Sequence, residues 1–313
     1  MFGRKLLRVA AALPFVLLAS PCAHAQLFRA YVASDGSDAN PCTLAAPCRL
    51  LPAALTAVAS GGEIWMLDSA NYNTATVAVA KSVTILAIPG AVGSVVASAG
   101  PAVSITTPGL KVALRNLVIV PVAGGGGTDG VRLWGASALS IEGCVFANLP
   151  GKGVDVLGDG ASVRIGTSIF RNIAATAVYV ENGGTADVHA SQFIESLNGS
   201  VRVISTSPAS AKASVSDSNF AGGGFGVDTY ATVAGGGSAR VAVTRSTFSS
   251  LGFAFTASNA SGAPSSISVS ETLVSGVGTA YSQGGSAIIY SLGNNHFFNS
   301  GTGTGTLTLI PPN

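Results

Sequence analysis

The chain has 313 residues, of which 48% are hydrophobic, only 10% are charged and 40 are glycine. Its formal net charge is +2, but three of its 16 basic residues fall within the first ten, which leaves 13 basic against 14 acidic residues in the rest. Nothing in this balance indicates the basic stripe that a nucleic-acid-binding protein needs. High apolar content with many glycines indicates a long, dry core interrupted by tight turns.

The first 25 residues have the parts of a secretory signal peptide. A basic start precedes an apolar run over residues 9–19, and a small-x-small pattern ends at Ala25, ahead of a cut before Gln26. The run is too short to span a bilayer. We therefore predict a secreted or periplasmic protein, cleaved near Ala25, with no transmembrane segment in the mature chain. A retained anchor, or lipid attachment at Cys22, is the alternative.

Residues 26–62 are predicted to form a separate N-terminal cap. Cys42 and Cys48 flank a short segment that can bend back, and export would place both thiols in an oxidising compartment, so we predict a disulfide rather than a metal site. Residues 50–59 carry apolar side chains at helical spacing, and two glycines at 61–62 end that pattern. If the following repeats form a solenoid, this helix is expected to cover the open end of its first coil.

Residues 63–313 are predicted to form the main body, in which one sequence phrase recurs every 23–28 residues. Two alternating apolar residues are followed, three places later, by a small hydroxyl or thiol and, after another two, by a large apolar residue. The period of two indicates strands, and a unit this short cannot bury its apolar face alone. The copies are Leu139, Ile141, Cys144, Phe146; Val163, Ile165, Ser168, Phe170; Ala186, Val188, Ser191, Phe193; Ala213, Val215, Ser218, Phe220; Val241, Val243, Ser246, Phe248; and, more weakly, Ile267, Val269, Thr272, Val274.

A third short strand follows the phrase, in the style Gly-Val-x-Val, at residues 130–133, 153–156 and 177–180. Three strands per unit predict one coil of a right-handed parallel β-helix, so the predicted fold is an all-β solenoid with a short N-terminal capping helix. An antiparallel sandwich is the alternative, but the fixed serine and phenylalanine columns favour the solenoid. Cys144 occupies the serine column and is predicted to be a buried, free, structural residue.

The N-terminal region resembles a known group of proteins. Its motifs are Tyr-Val-x-x-x-Gly-Ser-Asp-x-Asn-Pro-Cys at 31–42, Pro-Cys-Arg at 47–49, an alanine-rich helix and Gly-Gly-Glu-Ile at 61–64. They are similar to those of secreted bacterial right-handed parallel β-helix proteins of the pectin lyase-like superfamily. The resemblance implies a fold on which many members cleave or bind polysaccharides, while others have no known activity.

The enzyme motifs of that superfamily are missing from this sequence. Polygalacturonase-like hydrolases show Asn-x-Asp, Asp-Asp, Gly-His-Gly and Arg-x-Lys, and none of the four occurs here. Pectate lyase-like sites gather several carboxylates around Ca²⁺, whereas the acidic residues of this chain are mostly single and far apart. No metal or cofactor is therefore predicted.

The outward residues of the third strand form the candidate site. Successive coils place equivalent residues about 4.8 Å apart, so outward side chains stack in columns that are expected to face solvent. Aromatic rings pack against sugar rings, and arginine and aspartate bond hydroxyls or carboxylates. The first predicted column is Arg132, Asp155, Tyr179, Arg202 and Asp228, and the second is Trp134, Leu157, Glu181, Ile204 and Tyr230.

Three functional hypotheses follow from these columns. The first is an exported, non-catalytic protein that binds polysaccharide or a surface partner. The predicted binding residues are Arg132, Trp134, Asp155, Tyr179, Arg202, Asp228 and Tyr230. The second is a polysaccharide lyase or glycoside hydrolase in which Asp155, Glu181 or Asp228 acts as acid or base. The third is a structural cell-surface module whose Arg–Asp neighbours are ordinary cross-strand pairs. The oligomeric state is left open.

Overall fold

The structure is a computed structural model that describes residues 26–311. The predicted signal peptide and Cys22 lie outside the described residues. Within the described range, no helix is long and apolar enough to cross a membrane.

The described chain is a parallel β-solenoid of about nine turns, built from three all-parallel sheets. Each turn contributes one strand to sheet 1, then one to sheet 2, then one to sheet 3, and each strand pairs with its equivalents in the turns before and after it. This confirms the predicted all-β parallel β-helix.

Sheet 1 has 12 strands and contains the two alternating apolar residues of the repeated phrase. Leu139 and Ile141 point into the core and their neighbours point outward, as a period of two requires. The strands are β1 (Leu27–Val32), β2 (Val58–Met66), β5 (Val83–Ala87), β8 (Lys111–Arg115), β11 (Ala138–Glu142), β14 (Ser162–Gly166), β17 (Thr185–His189), β20 (Ala211–Ser216), β23 (Ala239–Thr244), β26 (Ser265–Ser270), β29 (Ile288–Ser291) and β31 (Leu307–Leu309).

Sheet 2 has ten strands and carries the predicted phenylalanine column. The five rings, from Phe146 to Phe248, are at most 1% exposed and stack with centroids 4.4–5.1 Å apart and planes within 8° of parallel. The strands are β3 (Ala70–Asn71), β6 (Gly93–Ala97), β9 (Leu117–Pro121), β12 (Val145–Ala147), β15 (Ile169–Arg171), β18 (Gln192–Ser196), β21 (Asn219–Gly223), β24 (Thr247–Ser249), β27 (Leu273–Ser275) and β30 (His296–Phe298).

Sheet 3 has nine strands and contains the Gly-Val-x-Val segments. A Cβ atom on Gly153 would clash with the backbone carbonyl oxygen of Ala177 in the next coil and lie 2.8 Å from Cδ1 of Phe170, so the next coil and the phenylalanine column together explain the glycine before this strand. The strands are β4 (Val77–Ala78), β7 (Val103–Ile105), β10 (Val131–Trp134), β13 (Val154–Leu157), β16 (Thr176–Glu181), β19 (Gly199–Ser205), β22 (Phe225–Ala231), β25 (Phe253–Asn259) and β28 (Thr279–Gly284).

The serine column holds the turn from sheet 1 to sheet 2. The Ser168 hydroxyl donates to the Gly166 carbonyl oxygen at 2.8 Å and accepts the backbone N–H of Cys144 at 3.2 Å. The same two bonds recur at Ser191 and Ser218. Cys144 is buried in this column and has a free thiol, as predicted, and burial raises the pKa of that thiol to about 11. The column is therefore structural.

The N-terminal segment contains the predicted disulfide between Cys42 and Cys48. It also contains the helix α1 (Leu51–Ala57), which buries Leu51 and Ala54. The helix is shorter than the predicted 50–59 because Val58 is already extended and pairs with β1 at the start of β2. A capping role for this helix, and the division of the chain at residue 63, stay predictions.

Candidate binding face on sheet 3

The structure brings the two predicted columns together on the outer side of sheet 3. Strand pairing places Arg132 opposite Asp155 and Arg202 opposite Asp228, with Tyr179 between the two pairs. The second column lies two residues further along the same strands, in matching register. We call this surface the sheet 3 face. Its two columns are Arg132, Asp155, Tyr179, Arg202, Asp228 and Trp134, Leu157, Glu181, Ile204, Tyr230.

Two carboxylates of the sheet 3 face are almost completely covered. The side chains of Asp155 and Asp228 are only 2% and 6% exposed. The expectation that outward residues of these strands face solvent is therefore wrong for both. The physical reason is length: aspartate is short, and the longer side chains beside it on the sheet surface exclude water from it.

A four-residue ion network encloses Asp155. Lys152 Nζ lies 2.7 Å from one carboxylate oxygen of Asp155, and Arg132 Nε lies 3.4 Å from the other without hydrogen-bond geometry. Arg132 also bonds Asp129 at 2.8 Å, and Asp129 accepts the backbone N–H of Lys152 at 2.7 Å. The sequence analysis missed Asp129 and Lys152. The sequence feature that could have indicated them is their equivalent position in two coils. Each lies three residues before the first outward residue of its sheet 3 strand.

Lys152 also links this network to the next residue of the column. Its ammonium nitrogen lies 3.8 Å from the centroid of the Tyr179 ring, which is cation–π geometry. Burial first, and the charge of Glu181 second, raise the pKa of the Tyr179 phenol to about 12. The phenol therefore stays neutral at physiological pH and can both donate and accept a hydrogen bond.

The Arg202–Asp228 pair differs from the network around Asp155. Arg202 Nε lies 2.8 Å from Asp228 Oδ2, yet neither atom makes a well-aligned hydrogen bond within the described chain. Burial raises the pKa of Asp228 to about 6, with the positive charge of Arg202 acting in the opposite direction. Asp228 is thus a carboxyl that can exchange a proton near neutral pH, as general acid–base chemistry requires.

Glu181, the third predicted carboxylate, has only neutral partners. Its Oε1 accepts from the Asn182 amide at 3.0 Å and from the Thr206 hydroxyl at 3.4 Å, and no basic side chain of residues 26–311 pairs with it. It is half-buried. The three predicted catalytic carboxylates therefore occupy three different environments.

Aromatic side chains lie at both ends of the sheet 3 face. Trp134 is 58% exposed at one end, and Tyr230 is half-buried at the other, four strand steps or roughly 19 Å away. At the start of β22 and β25, on the side of Asp228 away from Tyr230, the rings of Phe225 and Phe253 stack with centroids 5.4 Å apart. These two phenylalanines were also missed, although each lies three residues before an outward position. Such rings offer apolar platforms for sugars.

The residues of this face do not fit a Ca²⁺ site of the pectate lyase-like kind. Within residues 26–311, no three histidine, cysteine, aspartate or glutamate side chains gather as a metal ligand set. Asp129 and Asp155 instead bind Arg132 and Lys152.

Comparisons with known proteins agree with the fold. Neither a protein-family model nor a curated protein matches the chain. Among solved structures, pectate lyase Pel9A is similar with a TM-score of 0.61 and 16% identity, over 91% of this chain and 78% of that one. The alginate lyase from Paenibacillus sp. str. FPU-7 is similar with a TM-score of 0.50 and 12% identity, over 90% of this chain and 100% of that one. At these identities the likeness shows the parallel β-helix fold alone.

Proposed function

We propose that this protein is exported and binds a polysaccharide along the sheet 3 face without cleaving it. The observation that carries the proposal is the order of side chains on that face. Aromatic platforms at Trp134 and Tyr230 are the two ends of one column, and the column beside it carries alternating charge. The spacing of the coils suits a polymer that repeats along the same line.

The ion network supports binding by a preformed surface. Lys152 and Arg132 hold Asp155 from two sides, so these side chains lose little further conformational freedom when a ligand arrives. Hydrogen bonds from charged groups to sugar hydroxyls are stronger than neutral ones. The similar structures are, by name, lyases of pectate and alginate, which supports a polysaccharide as the ligand class.

Replacing Trp134 and Tyr230 together with alanine tests this proposal. Affinity electrophoresis against a panel of neutral and acidic polysaccharides should identify at least one polymer that the wild-type protein binds and the double variant does not, at an unchanged melting temperature. The matched control replaces Phe28 and Phe298, which are exposed aromatics outside the face, with alanine. Equal binding by both double variants would contradict the proposal, and the charged residues of the sheet 3 face would then be ordinary cross-strand pairs.

A second candidate function is cleavage of an acidic polysaccharide, favoured by the raised pKa of Asp228 alone. In this alternative Asp228 exchanges the proton and Arg202 stabilises developing negative charge. Incubation with polygalacturonate and with alginate should then yield shorter chains. Asp228→Asn should remove that activity, whereas Asp35→Asn, at an exposed position of the N-terminal segment, should retain it. Absence of products in the wild-type reaction would eliminate this candidate.

The proposed location outside the cytoplasm rests on the Cys42–Cys48 disulfide. Such bonds persist in oxidising compartments and are rare in the cytosol. Mass spectrometry of unreduced protein from the culture medium and from the periplasm should find the chain in one of them, joined at 42 and 48 and starting near Gln26. Reduced thiols at both positions in protein taken from the cell would contradict the proposal.

A further inference from the structure

A groove of about 810 Å³ runs along the outer side of sheet 1, away from the sheet 3 face. Its floor is a column of outward residues in matching register that spans five strand steps, roughly 24 Å. Four of the six side chains are short, which leaves the hollow between longer side chains. The column is Thr84, Ala113, Ser140, Arg164, Asp187 and Ser214.

A second hollow of about 580 Å³ continues this groove and shares Ser140, Arg164 and Asp187 with it. It adds polar side chains such as Glu142 and His189. The combined surface is thus long and open, with a more apolar lining in the first hollow and a polar lining in the second. Each hollow has a volume in the range of ligand-binding sites.

Positive charge is concentrated on this side of the molecule. The six strands from β8 to β23 carry five basic residues and only two acidic ones, Glu142 and Asp187. Both acids are already paired, at 3.5 Å with Arg115 and at 3.3 Å with Arg164. The sheet 3 face has no such excess, since its arginines lie against aspartates.

Three cations of sheet 1 are left without an acidic partner. Lys111, Lys212 and Arg240 are exposed, and no carboxylate oxygen of residues 26–311 lies within salt-bridge distance of them. Lys212 and Arg240 are in direct register on β20 and β23. Like charges in that position repel one another, and an anion bound beside them would remove the repulsion.

We propose that this sheet 1 groove binds an acidic polysaccharide, through a surface separate from the sheet 3 face. Lysine and arginine would pair with uronate carboxylates, and the hydroxyls of Ser140, Ser162 and Thr185 would bond ring hydroxyls. A single-stranded nucleic acid fits less well, because bases need successive stacking partners and His189 is the one lining residue with an aromatic ring.

The test compares two charge reversals, Lys212→Glu and Arg171→Glu. Arg171 is an exposed cation on sheet 2 without an acidic partner in the described chain, so both variants change the net charge equally. Lys212→Glu also places a carboxylate opposite Arg240, so it neutralises a second cation and does not lower the melting temperature. Affinity electrophoresis in polygalacturonate at low NaCl should show binding weakened on the order of tenfold by Lys212→Glu and unchanged by Arg171→Glu.

Wild-type binding should weaken at high NaCl and should be absent for dextran, a neutral polymer. Equal losses in the two charge reversals, or no wild-type binding, would overturn the inference. It would also fall if single-stranded DNA competed as well as polygalacturonate at equal charge. Loss of polygalacturonate binding in the Trp134 and Tyr230 double variant, with full binding by Lys212→Glu, would place the acidic polymer on the sheet 3 face instead.

Discussion

The inside of the coil and the sheet 3 face differ in how their side chains repeat from one coil to the next. Inside, each step repeats its neighbour: Phe170 stacks on Phe193, which stacks on Phe220. Outside, each step differs from the last, because a charged column of identical residues would repel itself. A column of identical apolar side chains can extend a solenoid to any length. A column whose residues differ from coil to coil instead marks one particular site on the surface of that solenoid. Fold and candidate function therefore depend on different strands of the same coils, the phenylalanine column on sheet 2 and the candidate face on sheet 3.

The largest expected effect comes from breaking the inner column. Phe193→Ala removes a fully buried ring from between Phe170 and Phe220 and should lower the free energy of unfolding by about 3–5 kcal/mol. Phe298→Ala, at a ring that is 71% exposed, should change it by less than about 0.5 kcal/mol. Urea unfolding measures both. A loss below about 1 kcal/mol at Phe193 would contradict the inner column.

The outer column should be sensitive to pH through Asp228. The pKa of Asp228 is about 6 in the folded protein, against an ordinary value of 3.8 for aspartate, so the folded state holds this proton to higher pH. The resulting stabilisation is fully present below pH 3.8 and is lost as pH rises through 6, by roughly 3 kcal/mol in all.

The measurement is urea unfolding at a series of pH values for the wild-type protein and Asp228→Asn. The wild-type stability should fall relative to the variant between pH 4 and pH 7, since asparagine does not titrate. Parallel curves for the two proteins would show that Asp228 ionises as an ordinary surface carboxyl.

Removing one cation of the Asp155 network should have a smaller effect. Lys152→Met leaves the buried Asp155 with Arg132 alone and should lower the free energy of unfolding by about 1–3 kcal/mol. Adding Asp155→Asn should recover part of that loss, because the uncompensated charge is gone. Thermal and urea unfolding of the two single variants and the double variant give the coupling energy. Strictly additive effects would mean that Lys152 and Asp155 do not interact.

The smallest expected effect is a gain in stability at the turn from sheet 1 to sheet 2, between β14 and β15. Thr167 has a φ of +47°, a left-handed conformation that a β-branched residue adopts at a cost. Thr167→Gly should therefore raise the free energy of unfolding by about 0.5–1 kcal/mol. Thr185→Gly, in the extended strand β17, should lower it by a similar amount. The same sign at both positions would show that backbone conformation does not decide the outcome.

The sequence was sufficient for the inner architecture because each coil restates it. The spacing of Phe146, Phe170 and Phe193 fixed the register, and that register placed Arg132 opposite Asp155 correctly. It could not show that Asp155 is covered. This depends on the side chain of Lys152, which comes from the loop before β13 and lies against the Asp155 carboxylate.

The sheet 1 groove escaped prediction for a related reason. Ser140 and Ala113 are unremarkable as single residues, and their small size matters only once the register stacks them beside other short side chains. The end of α1 depends on a strand pair formed with residues far away in sequence, at Val58 and Leu27. Local helical spacing carries no information about such a partner.

The free thiol of Cys144 turns the serine column into a reporter of coil opening. It is buried, and burial keeps it protonated well above physiological pH, so a thiol-directed reagent reaches a reactive sulfur only after the surrounding turn has separated. The other two cysteines of the described chain are joined to each other and do not react. The rate at which a reagent labels Cys144 therefore measures how often the turn between β11 and β12 opens.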